Sequence, residues 1–178
     1  MRRPTTYRTI LVAALALASG CATRGPGASV PGDETIASDT AVYGWRLRSL
    51  DGTVRDFAWF RGRTVVLNVW ATWCPPCVAE LGSFADLRDS LHADPVGRNV
   101  VFVLLAPETG DRVAAFARQH ALDLPFFVEI DGVPREFGVR ALPTTLVIDP
   151  GGRIVLRHRG AAEWNTPHMR TLLRELAS

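Results

Sequence analysis

The chain has 178 residues, of which 47% are hydrophobic and 21% are charged. This balance suits one globular domain and excludes a disordered or collagen-like chain. The formal charge is +2, but Arg2, Arg3 and Arg8 all lie in the first twenty residues, which contain no acid. The other 158 residues carry 17 arginines and 18 acids and no lysine. A nucleic-acid-binding face and lysine-based chemistry are therefore not expected.

The first twenty residues have the pattern of a secretory signal peptide. The arginines are followed by nine apolar residues at 10–18, far fewer than the roughly 20 that a spanning helix needs. Ala18-Ser19-Gly20-Cys21 is similar to the lipobox of bacterial lipoproteins, whose cysteine is acylated and becomes the first mature residue. We therefore expect a signal peptide at 1–20 and a lipid anchor on Cys21. The alternative is an ordinary signal peptide with an incidental cysteine.

Residues 22–40 are rich in Gly, Pro, Ser and Thr and show no periodicity, which is typical of a flexible linker. We expect a lipidated cysteine and linker at 21–40, followed by one domain at 41–178. The protein would then lie in the bacterial cell envelope and face the periplasm. Ala22 after the cysteine resembles outer-membrane sorting in Gram-negative lipoproteins, and the choice between the outer and the inner membrane stays open.

The domain itself shows alternating strand and helix patterns. Two short segments around Asp51-Gly52 predict an N-terminal hairpin, and the apolar run 64–70 predicts a buried strand. Apolar positions from Val78 to Leu91 recur at helical spacing. The remaining predictions are strands at 99–106, 126–130, 145–149 and 154–157, a helix capped by Asp111, and a helix at 163–177 capped near Asn165 or Thr166. This order predicts an α/β domain with a mixed sheet.

The cysteines carry the main chemical signal. If Cys21 is lipidated, Cys74 and Cys77 remain, in the sequence Trp73-Cys74-Pro75-Pro76-Cys77. No second CxxC or HxxxH pattern supports a zinc site. The pair follows a predicted strand and opens a predicted helix, where free N–H groups favour a thiolate and three-residue spacing permits a disulfide. We expect Cys74 to be the exposed attacking thiol and Cys77 to resolve the mixed disulfide. The alternative is a small structural disulfide.

Two features of this motif favour a reducing pair. Pro75 and Pro76 have no N–H, so the Cys74 thiolate has fewer hydrogen-bond donors than usual. The carboxylate of Glu80 lies three residues beyond Cys77, and a nearby negative charge raises the pKa of a thiol. Both effects disfavour the thiolate and so make the reduced form of the pair less stable. A pair with a less stable reduced form gives up its electrons more readily and is therefore a stronger reductant.

Two segments resemble a known family. Residues 67–80, LNVWATWCPPCVAE, resemble the thioredoxin superfamily and in particular its membrane-anchored TlpA/ResA/CcmG-type branch. Residues 137–153, FGVRALPTTLVIDPGGR, match the same branch, and the similarity covers about residues 41–178. The resemblance implies a thioredoxin-like α/β fold with a central mixed sheet flanked by helices and an N-terminal hairpin extension. It also implies a thiol-disulfide oxidoreductase that uses a Cys74–Cys77 disulfide and no bound cofactor.

The resemblance also implies roles for single residues. Pro143 would be a cis-proline that faces the cysteines, although from sequence alone it reads as a proline at the start of a strand. Glu80 would assist proton transfer, or else be a solvated helix residue. Asn68 replaces the buried Asp of cytoplasmic thioredoxins and cannot titrate. The residues expected to bind the partner are Trp73, Pro75, Pro76, Leu142, Pro143 and Thr144.

The expected activity is reduction of disulfides in exported proteins, with apocytochrome c as one candidate substrate. A membrane electron donor of thioredoxin-reducing type would restore the dithiol. We expect a monomer that is held at the membrane by the lipid on Cys21 and binds no nucleic acid. Two alternatives stay open. One is a disulfide-forming oxidant with the same site, and the other is a copper chaperone that uses both thiolates and a histidine such as His158.

Overall fold

A computed structural model describes residues 33–34 and 40–178. The strands in this part are β1 (Asp33–Glu34), β2 (Arg46–Ser49), β3 (Val54–Asp56), β4 (Thr64–Val69), β5 (Val100–Ala106), β6 (Phe126–Glu129), β7 (Thr144–Ile148) and β8 (Ile154–Arg159). The α-helices are α1 (Pro75–His92), α2 (Gly110–Gln119) and α3 (Pro167–Ala177). Short 3-10 turns lie at Phe57–Phe60, Gly97–Asn99 and Arg135–Phe137.

All of these strands form one sheet in the order β1-β8-β7-β4-β5-β6-β2-β3. The pairs β4–β5 and β5–β6 are parallel, and the other pairs are antiparallel. The predicted α/β class with a mixed sheet is confirmed. The predicted N-terminal hairpin is β2–β3, and it extends the sheet by pairing β2 with β6.

The centre of the sheet is buried on both faces. Every residue of β4 is buried, which explains why most of its residues are apolar. One face packs against buried side chains from all three helices, with Phe84, Val113 and Leu173 as examples. The other face is covered by aromatic side chains that include Trp45 and Phe57. This packing fixes both ends of β4, and the cysteine pair follows its C-terminal end.

Two predicted helix boundaries are wrong. Asp111 does not cap α2, because the N-cap is Thr109 and Asp111 lies in the first turn, where its charge suits the positive helix end. The last helix begins at Pro167 instead of residue 163. Its predicted cap is confirmed at Thr166, whose side chain accepts a hydrogen bond from the Met169 N–H. The shorter helix leaves Trp164 in the preceding segment, where it is buried.

Part of the predicted linker pairs with the sheet. Asp33 lies opposite His158 and Glu34 lies opposite Arg157 in β8, and Thr40 forms an isolated bridge with Arg153. The predicted signal peptide and Cys21 lie outside the described residues. Among the residues that are described, no helix is both long enough and apolar enough to span a membrane.

Candidate active site

The cysteine motif lies at the junction between β4 and α1. Cys74 is the N-cap of α1, with extended backbone, and its N–H donates to the Ala71 carbonyl at 3.1 Å. Pro75 and Pro76 occupy the first helical positions, where their missing N–H groups cost no helical hydrogen bond. The sequence thus places one cysteine at the helix end and the other in its first turn.

The two cysteines form a disulfide, as expected, with a Cα–Cα distance of 5.3 Å. Cys77 is fully buried and Cys74 is 6% exposed, so the expectation of an exposed attacking thiol is only partly met. Cys74 is the more accessible of the two, but in the disulfide form little of it reaches solvent. The neighbouring Trp73 is 61% exposed, and both prolines of the motif are exposed as well.

The start of β7 lies beside the end of β4, because Thr144 pairs with Val69. The Leu142–Pro143 peptide bond at this point is cis, as the family resemblance implied. Pro143 and Thr144 are buried and Leu142 is partly buried. The Thr144 hydroxyl donates to the Ala141 carbonyl at 2.7 Å. The sheet therefore brings Pro143 and the cysteine motif together at the C-terminal end of β4.

Glu80 is a buried carboxylate on α1 and is only 3% exposed, so it is not a solvated helix residue. Residues three apart share one side of a helix, so Glu80 lies on the same side of α1 as Cys77. One carboxylate oxygen accepts from the Asn68 amide at 2.9 Å. The other accepts from the Trp164 indole N–H at 2.8 Å and from the Ala162 N–H at 3.2 Å.

These contacts act on the pKa of Glu80 in opposite directions. Burial raises the pKa, and the hydrogen bonds from Trp164, Ala162 and Asn68 lower it by a smaller amount. The net result is a raised pKa, which makes the carboxylate a better proton acceptor than an ordinary glutamate. Asn68 is fully buried and also donates to the Thr145 hydroxyl at 2.9 Å. Its own oxygen has no hydrogen-bond partner among the described residues.

The segment that holds Glu80 was not found from the sequence. The Trp164 N–H donates to the Ser83 hydroxyl at 3.1 Å, and the indole stacks on Phe84 with ring centroids 5.1 Å apart. The Gly160 N–H donates to the Pro143 carbonyl at 2.9 Å. Residues 160–164 thus join α1 to the cis-proline. The available signal was Trp164 itself, because a buried indole N–H normally needs an acceptor.

A second carboxylate near the motif was also missed. Glu108 follows β5, and its side chain is 6% exposed. Its two oxygens accept hydrogen bonds from the Thr72 N–H at 2.7 Å and from the Thr72 hydroxyl at 2.8 Å. Arg112 lies 3.1 Å from the same carboxylate. Thr72 is two residues before Cys74, so Glu108 contacts the loop that leads to the cysteines.

His158, the third ligand in the copper hypothesis, lies buried in β8. Its ring meets the Trp164 ring edge-on at a centroid distance of 5.3 Å. Within residues 33–34 and 40–178, no three or more His, Cys, Asp or Glu side chains are arranged to hold a metal ion.

Residues 27–173, and with them the whole cysteine site, match the family model described as Redoxin. The chain belongs to the Redoxin family. It is 32% identical to the thioredoxin-like protein YneN of Bacillus subtilis over 114 residues, 64% of this chain and 66% of YneN. It is also 32% identical to the thiol-disulfide oxidoreductase ResA of Geobacillus thermodenitrificans over 123 residues, 67% of each chain. This Redoxin therefore spans about two thirds of the length of these relatives, and its resemblance to the ResA-type branch is confirmed.

The fold agrees with this membership. A solved thiol:disulfide interchange protein of the thioredoxin family from Chlorobium tepidum superposes with a TM-score of 0.64. The match covers 80% of this Redoxin and 99% of that chain at 21% identity. The thioredoxin-like fold is therefore confirmed.

Proposed function

We propose that this Redoxin is a thiol-disulfide oxidoreductase that reduces disulfides in exported proteins through Cys74 and Cys77. The observation that carries the proposal is a disulfide at the N-terminus of a helix, with one cysteine slightly exposed and the other fully buried on the side of Glu80. The relative ResA of Geobacillus thermodenitrificans carries the name thiol-disulfide oxidoreductase, which supports the same activity here.

The reaction starts from the reduced dithiol. The Cys74 thiolate attacks one sulfur of the partner disulfide, the partner S–S bond breaks, and a mixed disulfide forms. The released partner sulfur takes up a proton. The partial positive charge at the start of α1 favours the attacking thiolate, although Pro75 and Pro76 have no N–H to donate to it. The exposure of Trp73, Pro75 and Pro76 leaves room for a polypeptide at this position.

The second step returns the protein to the state that the structure describes. Cys77 loses its proton and attacks the Cys74 sulfur, so the mixed disulfide breaks and the second partner sulfur leaves as a thiolate. Two electrons have then passed to the partner, and the Cys74–Cys77 disulfide has formed. Glu80 is the group we assign to accept the Cys77 proton, directly or through water, because it is buried and its pKa is raised.

The partner would lie across the C-terminal end of β4, where the cysteine motif and the cis-proline come together. Leu142 and the backbone of Thr144 would line this groove beside Pro143. The Thr144 hydroxyl donates to the Ala141 carbonyl and its backbone pairs with Val69 of β4, so Thr144 would shape the groove and leave few of its own groups to bond the partner. Trp73 would supply an apolar contact on the other side.

The cellular setting is part of the proposal. A signal peptide at 1–20 and a lipid on Cys21 would place the protein in the cell envelope as a monomer. A membrane dithiol donor would reduce the Cys74–Cys77 disulfide after each turnover. Exported proteins with disulfides, among them apocytochrome c, would be the substrates.

The deciding experiment is the reduction potential of the pair. We would equilibrate the full chain carrying Cys21→Ser, so that the pair contributes the two remaining thiols, in glutathione or dithiothreitol buffers and trap free thiols. A value near about −270 mV or lower supports a reductant, and a value toward about −120 mV would reverse the direction of electron flow. Catalysed reduction of insulin disulfides by the same protein, absent in Cys74→Ser, tests the activity itself.

A further inference from the structure

The loop between β4 and α1 is held by few backbone bonds. The Trp70 N–H still donates to the Leu105 carbonyl at 3.0 Å, which continues the pairing with β5 by one residue. The next four residues leave the sheet and end at Cys74. In the middle of this loop, the Thr72 N–H and hydroxyl both donate hydrogen bonds to Glu108, which follows β5.

The contact between Thr72 and Glu108 is a strong one for its size. Both oxygens of one carboxylate accept hydrogen bonds from one residue, and bonds to an ionised acceptor are roughly twice as strong as neutral ones. The Glu108 side chain is nearly buried, so water competes little for these bonds. Arg112 also contacts the carboxylate but is 63% exposed, and an exposed ion pair contributes little.

The redox state changes how much this contact matters. In the oxidised protein the disulfide ties Cys74 to α1 through Cys77. In the reduced protein that bond is absent, and the reduced protein is the form that attacks a partner. The loop is then held by noncovalent contacts, and the pair of bonds to Glu108 holds a residue two positions before Cys74.

We propose that Glu108 is a positioning residue that holds Thr72, and with it the loop ending at Cys74, in the orientation needed to attack a protein disulfide. The inference rests on the proposed function, because it concerns the same reaction. Attack on a disulfide needs the incoming sulfur aligned with the bond that breaks, and small misplacements of a reacting group are costly. A small alkylating agent can approach a thiolate from many directions and does not have this requirement.

The test compares two reactions of the full chain carrying Cys21→Ser. Glu108→Ala is expected to lower kcat/KM for insulin reduction by about tenfold, at a pH where Cys74 is ionised, and to change alkylation by iodoacetamide by less than about twofold. Glu108→Gln keeps one oxygen acceptor and should recover most of the loss. Thr72→Val, which removes only the hydroxyl bond, covers the case that Glu108→Ala fails to fold. Asp111→Asn removes a negative charge from the first turn of α2, three residues after Glu108, and should behave as wild type.

Amide hydrogen exchange at Thr72 gives the second readout. Glu108→Ala should speed exchange at this amide by about tenfold or more in the reduced protein, and by less in the oxidised protein. Unchanged exchange, or an equal loss in insulin reduction and in alkylation, would overturn the proposal. If the wild-type protein does not reduce insulin, the proposed function fails, while the exchange data still decide whether Glu108 holds the loop.

Discussion

The indole N–H of Trp164 donates a hydrogen bond of 2.8 Å to the carboxylate of Glu80. This contact joins the segment before α3 to the helix that carries the cysteines. Because the same segment donates from Gly160 to the Pro143 carbonyl, one short stretch of chain contacts both sides of the candidate active site. The carboxylate is therefore held in place by residues that a partner protein would not displace.

Trp164→Phe should shift the pH dependence of disulfide reduction. Losing the indole bond removes the largest of the contacts that lower the pKa of Glu80, so this pKa rises further. If Glu80 accepts the Cys77 proton as a carboxylate, the fall in rate at low pH will begin at a higher pH. Stability should also drop by about 1–3 kcal/mol, because an acceptor loses its donor in a buried site.

Trp70→Phe is the matched control for this change. Trp70 is fully buried, but its indole N–H has no hydrogen-bond partner among the described residues. The same substitution there should therefore leave the pH profile of the reaction unchanged. A shift of equal size in both variants would mean that the profile responds to core packing and not to the bond with Glu80.

The features of this site that nearby residues determine could be predicted from the sequence, and the contacts made by residues distant in sequence could not. The buried strand and the cysteine helix were predictable because four of the six β4 residues are apolar and two prolines suit a helix start. The cis bond before Pro143 came from the family resemblance, because a cis X–Pro bond is a minority state in general. The surroundings of Glu80 could not be predicted, since Ala162 and Trp164 are 82 and 84 residues away in sequence.

Glu80→Gln should change how stability depends on pH. The pKa of Glu80 is raised above its ordinary value of 4.5, so the folded protein binds this proton more tightly than the unfolded chain does. The free energy of unfolding therefore falls as pH rises from below the unfolded pKa through the folded one. Glutamine does not titrate, so the stability of the variant relative to wild type should increase with pH in urea unfolding series. Parallel curves would contradict the raised pKa.

Cys77→Ser should trap the reaction halfway, in a chain that also carries Cys21→Ser. Cys74 can still attack a partner disulfide, but no second thiol is available to resolve the mixed disulfide. A covalent adduct with insulin should accumulate on non-reducing gels and disappear with dithiothreitol. Cys74→Ser should give little adduct, because Cys77 is fully buried. If the adduct forms with Cys74→Ser and not with Cys77→Ser, then Cys77 is the attacking thiol and Cys74 is the resolving one.

Trp73→Ala should weaken partner binding without harming the thiols. The side chain is 61% exposed next to Cys74, so its loss should cost little folding stability. An aromatic side chain at the centre of a contact often contributes about 1 kcal/mol or more to binding, which corresponds to a KM for insulin raised about fivefold or more. Trp59→Ala removes a tryptophan that is 65% exposed on the segment after the N-terminal hairpin, and its KM should remain that of the wild type. If the two variants raise KM equally, Trp73 has no special contact with the partner.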